Sequence, residues 1–492
     1  MKKTLSIAVF LWLLFIMTYN LLHSAPWGDE WIEYTYSQAS FQNGEFYESV
    51  ISTFQPPLYN FIMHFWLKIN TSVLWFRLFN LIPGILSGLF LYKTIQMLYH
   101  QQLAILAVFL LSISYQWIYY IQECSEYTLM LMFLFASIYF YILSLEKFTI
   151  PNVIAFTLMC VGAIYSQYGS IFIVLPLLLF FYFTMLFSKK KAHILQTTLI
   201  YFGNLLLFAI PLYYFFIRVQ LSQNGSEEIP ITIQHIKEFP TTLGVIIGYL
   251  FHLNISDFLI HLLQIFSIFF IGLNIFFLFK KPFEWQKASL VFTLFVAYTL
   301  HYYLVIKHIY AMIHPGLSGG FYFRYSNFYL PLVCILLPMI FYETILRFRQ
   351  RILQHLFASG VIFLFLCVVS ISLPAILKNW KKSYDDDFAK IWVSHQGYHE
   401  ITYIIGVASY GFHYYVSEIL QDMENTIDYT KHVHSSLEID LENLPDTFWL
   451  WRTNWGGDAY GTTLEAAQTQ GYQIEVFIDE DYYGQLARCV KP

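Results

Sequence analysis

The amino-acid sequence predicts a mainly α-helical membrane protein, a polytopic bundle of about eleven transmembrane helices followed by a small C-terminal α/β soluble domain. Three observations support this fold class. The 492 residues are 57% hydrophobic and only 12% charged, whereas about a quarter of the residues are charged in an average soluble protein. Apolar runs of about 20 residues, the length that crosses a bilayer, recur along the chain. These runs stop near residue 383, which predicts domains of residues 1–375 and 383–492.

The first apolar run follows Met1-Lys2-Lys3 and therefore resembles a signal peptide. Its length matches a bilayer span, Pro26 would hinder cleavage after Ala25, and further spans follow, so we expect an uncleaved first helix. The predicted spans are residues 4–23, 76–98, 102–120, 127–145, 151–166, 170–187, 195–217, 257–279, 287–306, 327–345 and 355–375.

Basic residues test these spans independently, because the cytoplasmic connections of membrane proteins carry an excess of Lys and Arg. With Lys2 and Lys3 placed inside, every basic cluster between spans is also predicted to lie inside. These clusters are Lys147, Lys189 to Lys191, Lys280 with Lys281, and Arg347, Arg349 and Arg351. The N-terminus is therefore predicted to be cytoplasmic. The connections 24–75, 218–256 and 307–326 and the C-terminal domain are predicted to lie outside.

The tail changes character at Ser383-Tyr384-Asp385-Asp386-Asp387. Beyond it, apolar and polar residues alternate in three stretches, which is typical of strands. We expect strands at 401–407, 447–451 and 472–477, with a helix over 410–423 between the first two. This pattern predicts a small α/β domain.

Charge and cysteine content give no support to nucleic-acid binding or to a metal site made of cysteines. The net charge of -5 and the short basic clusters give no broad basic face, so no nucleic-acid partner is expected. The five cysteines show no CxxC or metal-ligand spacing, and we expect them in the core. They are Cys124, Cys160, Cys334, Cys367 and Cys489.

The first outer loop begins with an acidic pair, Asp29 and Glu30, directly after the first span. At this position a carboxylate could reach both a lipid headgroup and a water-side acceptor. The alternative is structural: the two acids would complement the dipole at the start of a helix over 30–40.

The same loop ends with Gln55-Pro56-Pro57-Leu58-Tyr59, and Arg77 follows at the head of the second span. A Pro-Pro pair can start a helix, because the first turn needs no backbone donor. A guanidinium at this depth could pair with a lipid phosphate. The alternative for Arg77 is snorkelling at a helix end.

An outer loop with Asp-Glu near its start, Pro-Pro-Leu-Tyr near its end and Arg at the next helix resembles the GT-C membrane glycosyltransferases. Within them the chain is most similar to the group of protein O-mannosyltransferases and lipid A aminoarabinose transferases. Three further motifs extend the resemblance over most of the membrane part: Glu123-Cys124-Ser125-Glu126-Tyr127, Tyr165-Ser166-Gln167-Tyr168-Gly169, and Phe323-Arg324-Tyr325 with Pro331.

The chain departs from this group at three positions. Ser125 replaces the usual Arg, Gln167 replaces the usual His, and Gln55 stands where relatives carry Lys or His. His308 and His314 lack an accompanying carboxylate at ligand spacing, so we expect polar loop residues there. No cofactor is predicted, and the requirement for a divalent metal ion is left open.

The resemblance implies transfer of a sugar from a polyprenyl-phosphate-linked donor to a lipid, protein or glycan acceptor, on the outer face of the bacterial inner (plasma) membrane. Such chemistry needs a carboxylate for the acceptor hydroxyl and cations for the departing phosphate. The implied catalytic residues are Asp29, with Glu30 and Glu123 as auxiliary acids. The implied donor-phosphate residues are Arg77, Arg324, Lys307, Gln55 and Tyr325. For Lys307 and Arg324 the alternative is anchoring at the membrane interface.

Two other functions are compatible with a polytopic membrane protein. A lipid or solute transporter would favour charged residues or helix breaks near the bilayer midplane. The candidate charges here gather instead at predicted helix ends, which favours interfacial chemistry. A non-catalytic scaffold whose tail binds a partner would leave the acidic pair and its companion motifs unexplained.

Overall fold

The computed structural model describes residues 2–19, 21, 26, 28–52, 55–187, 191–223, 242–243, 246–251, 284–306, 320–347, 350–377, 385–405, 414–415, 430–433, 439–452, 459–480 and 484–492. The chain forms two compact units. The helical unit comprises Met1–Tyr19, Ser37–Thr71 and Trp75–Lys378. The C-terminal unit comprises Asn20–Tyr36, Ser72–Leu74 and Asn379–Pro492. Residues 20–36, part of which belong to the connection 24–75 predicted from the sequence, thus lie in the same unit as the tail.

Helices make up most of the described chain. In chain order they are α1 (Lys2–Thr18), α2 (Gly28–Gln38), α3 (Glu45–Ser52), α4 (Leu58–Leu67), α5 (Val73–Leu78), α6 (Leu81–Leu98), α7 (Gln101–Ser112), α8 (Tyr115–Ile121), α9 (Tyr127–Glu146), α10 (Ile150–Ser166), α11 (Ile171–Leu186), α12 (Lys191–Asn204), α13 (Ile210–Leu212), α14 (Arg218–Gln223), α15 (Trp285–Ile306), α16 (Leu330–Arg347), α17 (Arg351–Leu377), α18 (Asp385–Ser394) and α19 (Ala459–Thr469). Short 3₁₀ helices occupy Gln42–Gly44, Tyr168–Ser170, Gly320–Tyr329 and Gly397–His399.

Every predicted span except 257–279, which lies outside the described residues, contains a described helix. Within the described part of the chain, six helical stretches are long and apolar enough to cross a membrane: Val73–Leu98, Tyr127–Glu146, Tyr168–Leu186, Ala192–Leu221, Tyr325–Leu346 and Arg351–Pro374. The pair α7 and α8, bent by 67°, would form a seventh. The predicted number of about eleven spans stays a prediction.

The bend between α7 and α8 has a local cause at Ser114. This residue has an extended backbone, with ψ at 113°, and its hydroxyl accepts a hydrogen bond from the backbone N–H of Trp117. Ser114 therefore caps a new helix instead of continuing the old one.

Two of the spanning stretches, Ala192–Leu221 and Arg351–Pro374, have almost none of their apolar side chains in the packed interior. Leu199, Phe202 and Leu366 are among the large side chains that these helices expose. An apolar surface of this extent is not stable in water, but it suits contact with lipid. The chain is therefore an integral membrane protein.

The interior of the helical unit depends on close helix contacts. A Cβ atom at Gly84 of α6 would lie 2.7 Å from Met17 Cε and 2.8 Å from Ile121 Cδ1. Gly84 thus allows α6 to approach α1 and the end of α8. Four cysteines, Cys124, Cys160, Cys334 and Cys489, are buried, which confirms their predicted place in the core. The prediction is wrong for Cys367, which is only half-buried because it lies on α17, a helix with little of its surface in the packed interior.

The C-terminal unit contains a five-stranded mixed sheet with strand order β2-β1-β3-β5-β4. Its strands are β1 (Ile401–Ile405), β2 (Thr430–Val433), β3 (Thr447–Arg452), β4 (Gln473–Glu480) and β5 (Gly484–Val490). β1 pairs in parallel with β2 and β3, whereas β5 is antiparallel to β3 and β4. The three predicted strands are confirmed, and β2 and β5 are additions. Of the helix predicted over 410–423, only Tyr414 and Tyr415 are described, and both are helical.

Helices cover both faces of this sheet. On one face, Phe448 and Leu450 of β3 pack with Ala459 and Tyr460 of α19. On the other, Trp449 and Trp451 pack with Phe388, Ala389 and Trp392 of α18. The alternation along β3 thus buries both faces, which explains why its sequence Thr-Phe-Trp-Leu-Trp-Arg is apolar at four successive positions.

Candidate functional site

A buried polar layer lies in the helical unit, at the end where α6 and α9 begin and α8 ends. Its members are at most 5% exposed: Arg77, Asn80, Glu123, Ser125 and Glu126. Burying charged and polar groups is costly unless they are paired or hydrogen-bonded. Such a concentration at one end of an apolar bundle therefore marks a candidate site.

Asn80 connects the two segments that supply this layer. Its backbone N–H donates to the Arg77 carbonyl at 3.1 Å. Its side-chain Nδ2 donates to the backbone carbonyls of Glu123 and of Tyr120, the latter at 3.4 Å. From the other side, the Thr128 hydroxyl donates to the same Tyr120 carbonyl at 2.8 Å. The turn that carries Arg77 is thereby fixed to the loop that carries Glu123.

A pair of tryptophans fixes the chain just before Arg77. The rings of Trp66, at the end of α4, and Trp75, in α5, stack with centroids 4.3 Å apart and planes 6° apart. Each indole N–H also donates to the backbone carbonyl of the other residue, at 2.8 and 2.9 Å. This reciprocal contact sets the path of the chain two residues before Arg77.

Gln55, predicted at the donor phosphate, takes part in a second connection through its backbone. The side chain of Gln220 in α14, which is fully buried, donates from Nε2 to the Gln55 carbonyl at 3.0 Å and the Val50 carbonyl at 3.4 Å. Gln220 Oε1 accepts a hydrogen bond from the Tyr168 hydroxyl at 2.8 Å. One amide therefore joins the Pro-Pro segment to the turn after α10.

The 3₁₀ helix Gly320–Tyr329 lies beside α9 and the turn Tyr168–Ser170. Both side-chain polar atoms of Asn327 and the hydroxyls of Ser326, Ser170 and Ser125 are buried and make no hydrogen bond to the described residues. Buried polar atoms of this kind are uncommon in native proteins. They give this end of the bundle donors and acceptors that a hydroxyl-rich or phosphate ligand could use.

Two predicted donor-phosphate residues belong to this 3₁₀ helix. Tyr325 is half-buried within it. The backbone of Arg324 belongs to the same helix, but the prediction for its side chain stays a prediction. Lys307, like His308 and His314, lies outside the described residues.

The acidic pair belongs to the C-terminal unit. Helix α2 begins at Gly28 and carries Asp29 and Glu30 in its first turn, in agreement with the helix expected over 30–40. Glu30 is fully buried and Asp29 is half-buried. The carboxylates are thus placed to interact with the helix dipole.

Sequence reasoning missed Asn80 and Gln220, whose importance depends on contacts far along the chain. The only signal for either was a polar amide within or beside an apolar run. Among the described residues, no group of three or more His, Cys, Asp or Glu side chains could hold a metal ion. The divalent ion left open by the sequence therefore gains no ligand set from this part of the chain.

Comparison with known families gives one sequence match. Residues 54–215 match the family described as Dolichyl-phosphate-mannose-protein mannosyltransferase. This stretch contains Gln55, Arg77, Glu123 and Gln167. A comparison with curated proteins found no match.

Solved structures that align with this chain include two of the Archaeoglobus fulgidus oligosaccharyltransferase and one of ArnT from Cupriavidus metallidurans. The apo oligosaccharyltransferase of Archaeoglobus fulgidus aligns with a TM-score of 0.51 at 10% identity, over 96% of this chain and 69% of that chain. Its complex with Zn and sulfate aligns with a TM-score of 0.43 at 11% identity, over 83% of this chain but only 61% of that chain. ArnT from Cupriavidus metallidurans in the apo state aligns with a TM-score of 0.45 at 10% identity, over 99% of this chain and 97% of that chain.

The first of these alignments shows a shared fold. Together with the family match, it confirms the resemblance to the GT-C membrane glycosyltransferases that the loop motifs predicted.

Proposed function

We propose that this protein transfers a sugar from a polyprenyl-phosphate-linked donor to an acceptor on the outer face of the bacterial inner membrane. The observation that carries the proposal is the buried arrangement of Arg77, Asn80 and Glu123 within the stretch that matches a mannosyltransferase family. The name of that family specifies a sugar carried on dolichyl phosphate, which is a polyprenyl phosphate. A lipid tail of this kind would stay in the bilayer, with its phosphate at the helix ends.

Arg77 is proposed to hold the donor phosphate. Its guanidinium is 1% exposed, and a charge-assisted hydrogen bond is strongest where water is excluded. As the sugar departs, the phosphate regains negative charge, and a fixed cation stabilises that charge. Arg324, Lys307, Tyr325 and Gln55 are proposed to complete this subsite.

The acids are proposed to act on the acceptor. An acceptor hydroxyl attacks the anomeric carbon, a new carbon–oxygen bond forms, and the bond from that carbon to the phosphate oxygen breaks. Asp29 takes the hydroxyl proton, and the polyprenyl phosphate leaves with the electron pair. Glu30 and Glu123 assist by orienting the acceptor.

The experiment is a comparison of cells with and without the gene. Mass spectrometry of lipid extracts and envelope glycans should find a polyprenyl-phosphate sugar that accumulates when the gene is deleted, and an envelope component that loses the same sugar. Re-expression of the protein should reverse both changes. Identical lipid-linked sugars and identical envelope glycans in the two strains would contradict the proposal.

A further inference from the structure

Four aromatic rings join the acidic helix to the C-terminal region within one compact unit. Trp31 of α2 lies 5.2 Å from Tyr414 and 6.2 Å from Tyr415, measured between ring centroids. Tyr34 of α2 lies 5.6 Å from Trp31 and 6.3 Å from Tyr414. Tyr414 and Tyr415 are 5.1 Å apart. We call these four residues the aromatic clamp.

The clamp is continuous with the core of the sheet. Tyr415 packs against the cluster of buried side chains on the α18 face, which includes Trp392, Trp449 and Trp451. The packed rings therefore run from the sheet through Tyr415 to α2. Edge-to-face and tilted ring pairs at these distances are favourable beyond the area they bury.

Ring packing holds Trp31, whose side chain is 2% exposed. Its indole N–H is buried and has no acceptor among the residues that the structure describes. The contact therefore depends on the shape and surface of the ring. A phenyl ring at positions 34, 414 or 415 would keep most of that surface.

Helix α2 needs such support, because it has only 11 residues and an isolated helix of this length is marginal in water. Trp31 and Tyr34 are three residues apart, so they share one face of the helix. Asp29 and Glu30 lie within the turn before them. Whatever fixes these two rings also fixes the first turn and its carboxylates.

We propose that the C-terminal domain is a positioning element of the active site, and that Tyr414 and Tyr415 hold α2 and its acidic pair through Trp31 and Tyr34. The catalytic part of this proposal rests on the proposed function, because it assigns the acids a role in transfer. Tyr414 and Tyr415 are positioning residues, since they act through α2. The tail then contributes to the position of the proposed catalytic acids.

The first test measures the position of α2 and needs no knowledge of the reaction. In full-length, cysteine-free protein reconstituted into nanodiscs, spin labels at Asp29→Cys and Glu442→Cys report the distance from α2 to the sheet domain. Tyr414→Ala should broaden the distance distribution and raise the mobility of the label at position 29. Tyr414→Phe should preserve the parental distribution.

The matched control is Phe477→Ala. Phe477 is a half-buried ring of the same domain that stacks on Trp449 with centroids 5.3 Å apart. Its loss removes similar aromatic surface outside the clamp, so it should leave the label at position 29 unchanged. An unchanged label in Tyr414→Ala, or an equal change in Phe477→Ala, would overturn the clamp.

The second test measures function in cells that lack the gene, with the accumulated lipid-linked sugar as the readout. At equal membrane abundance, Tyr414→Ala should lower the transfer rate about tenfold to a hundredfold, because small misplacements of a catalytic group cost about that much. Tyr414→Phe and Phe477→Ala should complement fully. A mobile label with undiminished transfer would overturn the positioning role. If the parental protein itself shows no transfer, the proposed function fails, while the label data still decide whether the clamp holds α2.

Discussion

Arg77 is the most demanding side chain of the candidate site, because burying a charged group is costly unless the group is paired or hydrogen-bonded. The turn that carries it is fixed twice, by the Trp66–Trp75 stack and by the Asn80 amide. A rigid support of this kind lowers the conformational entropy that the site itself loses when a ligand binds. It suits a residue whose anionic partner arrives from the membrane.

The first prediction concerns Arg77→Ala. It should weaken binding of the lipid-linked donor by about 1.5–3 kcal/mol, the value of a charge-assisted hydrogen bond, and by more if the phosphate is left desolvated. Donor binding to purified protein in nanodiscs gives the measurement. Arg218→Ala is the matched control, because Arg218 is exposed and stacks over the Tyr214 ring at 5.4 Å. Equal donor affinity in Arg77→Ala and the parental protein would remove Arg77 from the donor subsite.

The second prediction separates catalysis from helix stability at Asp29. Asp29→Asn keeps the size and hydrogen-bonding ability of the side chain but removes its basicity. Transfer should fall by about 10²–10⁴-fold, the usual contribution of a positioned acid or base, while donor binding changes little. Glu45→Gln is the control, because Glu45 is an exposed carboxylate in the first turn of α3. If Asp29→Asn transfers sugar at the parental rate, the pair serves only the helix terminus.

Residue types in the site were predictable to different degrees. Arg77 and Glu123 stood out because charged residues beside apolar spans are rare and belonged to recognisable motifs. Asn80 and Gln220 did not, because an amide acquires its role only from carbonyls 40 to 170 residues away in the sequence. Local patterns carry no information about such partners.

Among the structural elements, α14 shows how a single side chain joins distant segments of the helical unit. Gln220 satisfies the Gln55 carbonyl and the Tyr168 hydroxyl together, and both partners would otherwise have to find other hydrogen bonds in a largely apolar surrounding. Helix α14 therefore supports the candidate site through Gln220, and this side chain does not have to contact the substrate.

The third prediction is that Gln220→Leu destabilises the helical unit. Each buried polar group that loses its partner costs about 1–3 kcal/mol. Thermal unfolding in detergent should therefore occur at a clearly lower temperature. Tyr168→Phe removes only the hydrogen bond to Gln220 Oε1 and leaves the bonds to the two backbone carbonyls in place, so it should have a smaller effect. An unfolding temperature equal to that of the parental protein would show that the connection is dispensable.

The fourth prediction concerns strand β5, where burial raises the pKa of the Cys489 thiol to about 12. In the unfolded chain the thiol ionises near its ordinary pKa of 9.0. Between about pH 9 and pH 12 the folded domain therefore keeps the thiol proton, whereas the unfolded chain releases it. The contribution of the buried, neutral thiol to the stability of the domain is present below about pH 9 and is lost as the pH rises toward 12. Hydrogen exchange should detect a weakening of the sheet across this range.

Alkylation provides the matching test of Cys489. At pH 8 an iodoacetamide probe should modify Cys489 slowly in the folded protein and rapidly after denaturation, because the thiolate is the reactive species. Cys489→Ser abolishes the signal and identifies it. Rapid modification of the folded domain at pH 8 would show that the thiol is neither buried nor protonated as described.

Helices and strands with a long sequence pattern were easier to predict than those with a short one. Spans of about 20 apolar residues were recognised because bilayer thickness fixes their length. Strands β1, β3 and β4 were recognised from alternation. β2 has only four residues, Thr430–Val433, and β5 interrupts its apolar positions with Gln485 and Arg488. Their pairing depends on neighbouring strands, which the local sequence does not specify.

At the scale of the molecule, the two ends of the helical unit differ in chemistry. The end opposite to the candidate site, where α6 and α16 finish and α15 starts, carries an ion-pair group. Lys287 Nζ lies 2.7 Å from Glu343 Oε1 and 2.6 Å from Glu284 Oε2, and the Tyr99 hydroxyl donates to Glu343 Oε1 at 2.9 Å. These contacts connect the ends of α6, α15 and α16 at this end of the helical unit.

Orientation of these two ends is the fifth prediction: the ion-pair end faces the cytoplasm, and the candidate site faces outward. The basic clusters of the short connections motivate it, because Lys and Arg are retained on the cytoplasmic side. Four of the five native cysteines are buried, so their replacement changes packed positions, and the cysteine-free protein is first shown to match the parental protein in membrane abundance and unfolding temperature. Single cysteines at Lys190 and Asp440 then report the two sides. A membrane-impermeant maleimide should label position 440 in intact spheroplasts and position 190 only after permeabilisation.

Maltose-binding protein in the cytoplasm, carrying one exposed cysteine, controls for leakage. Labelling of position 190 in intact spheroplasts would invert the topology, and the acidic pair and Arg77 would then need a donor and an acceptor on the cytoplasmic side.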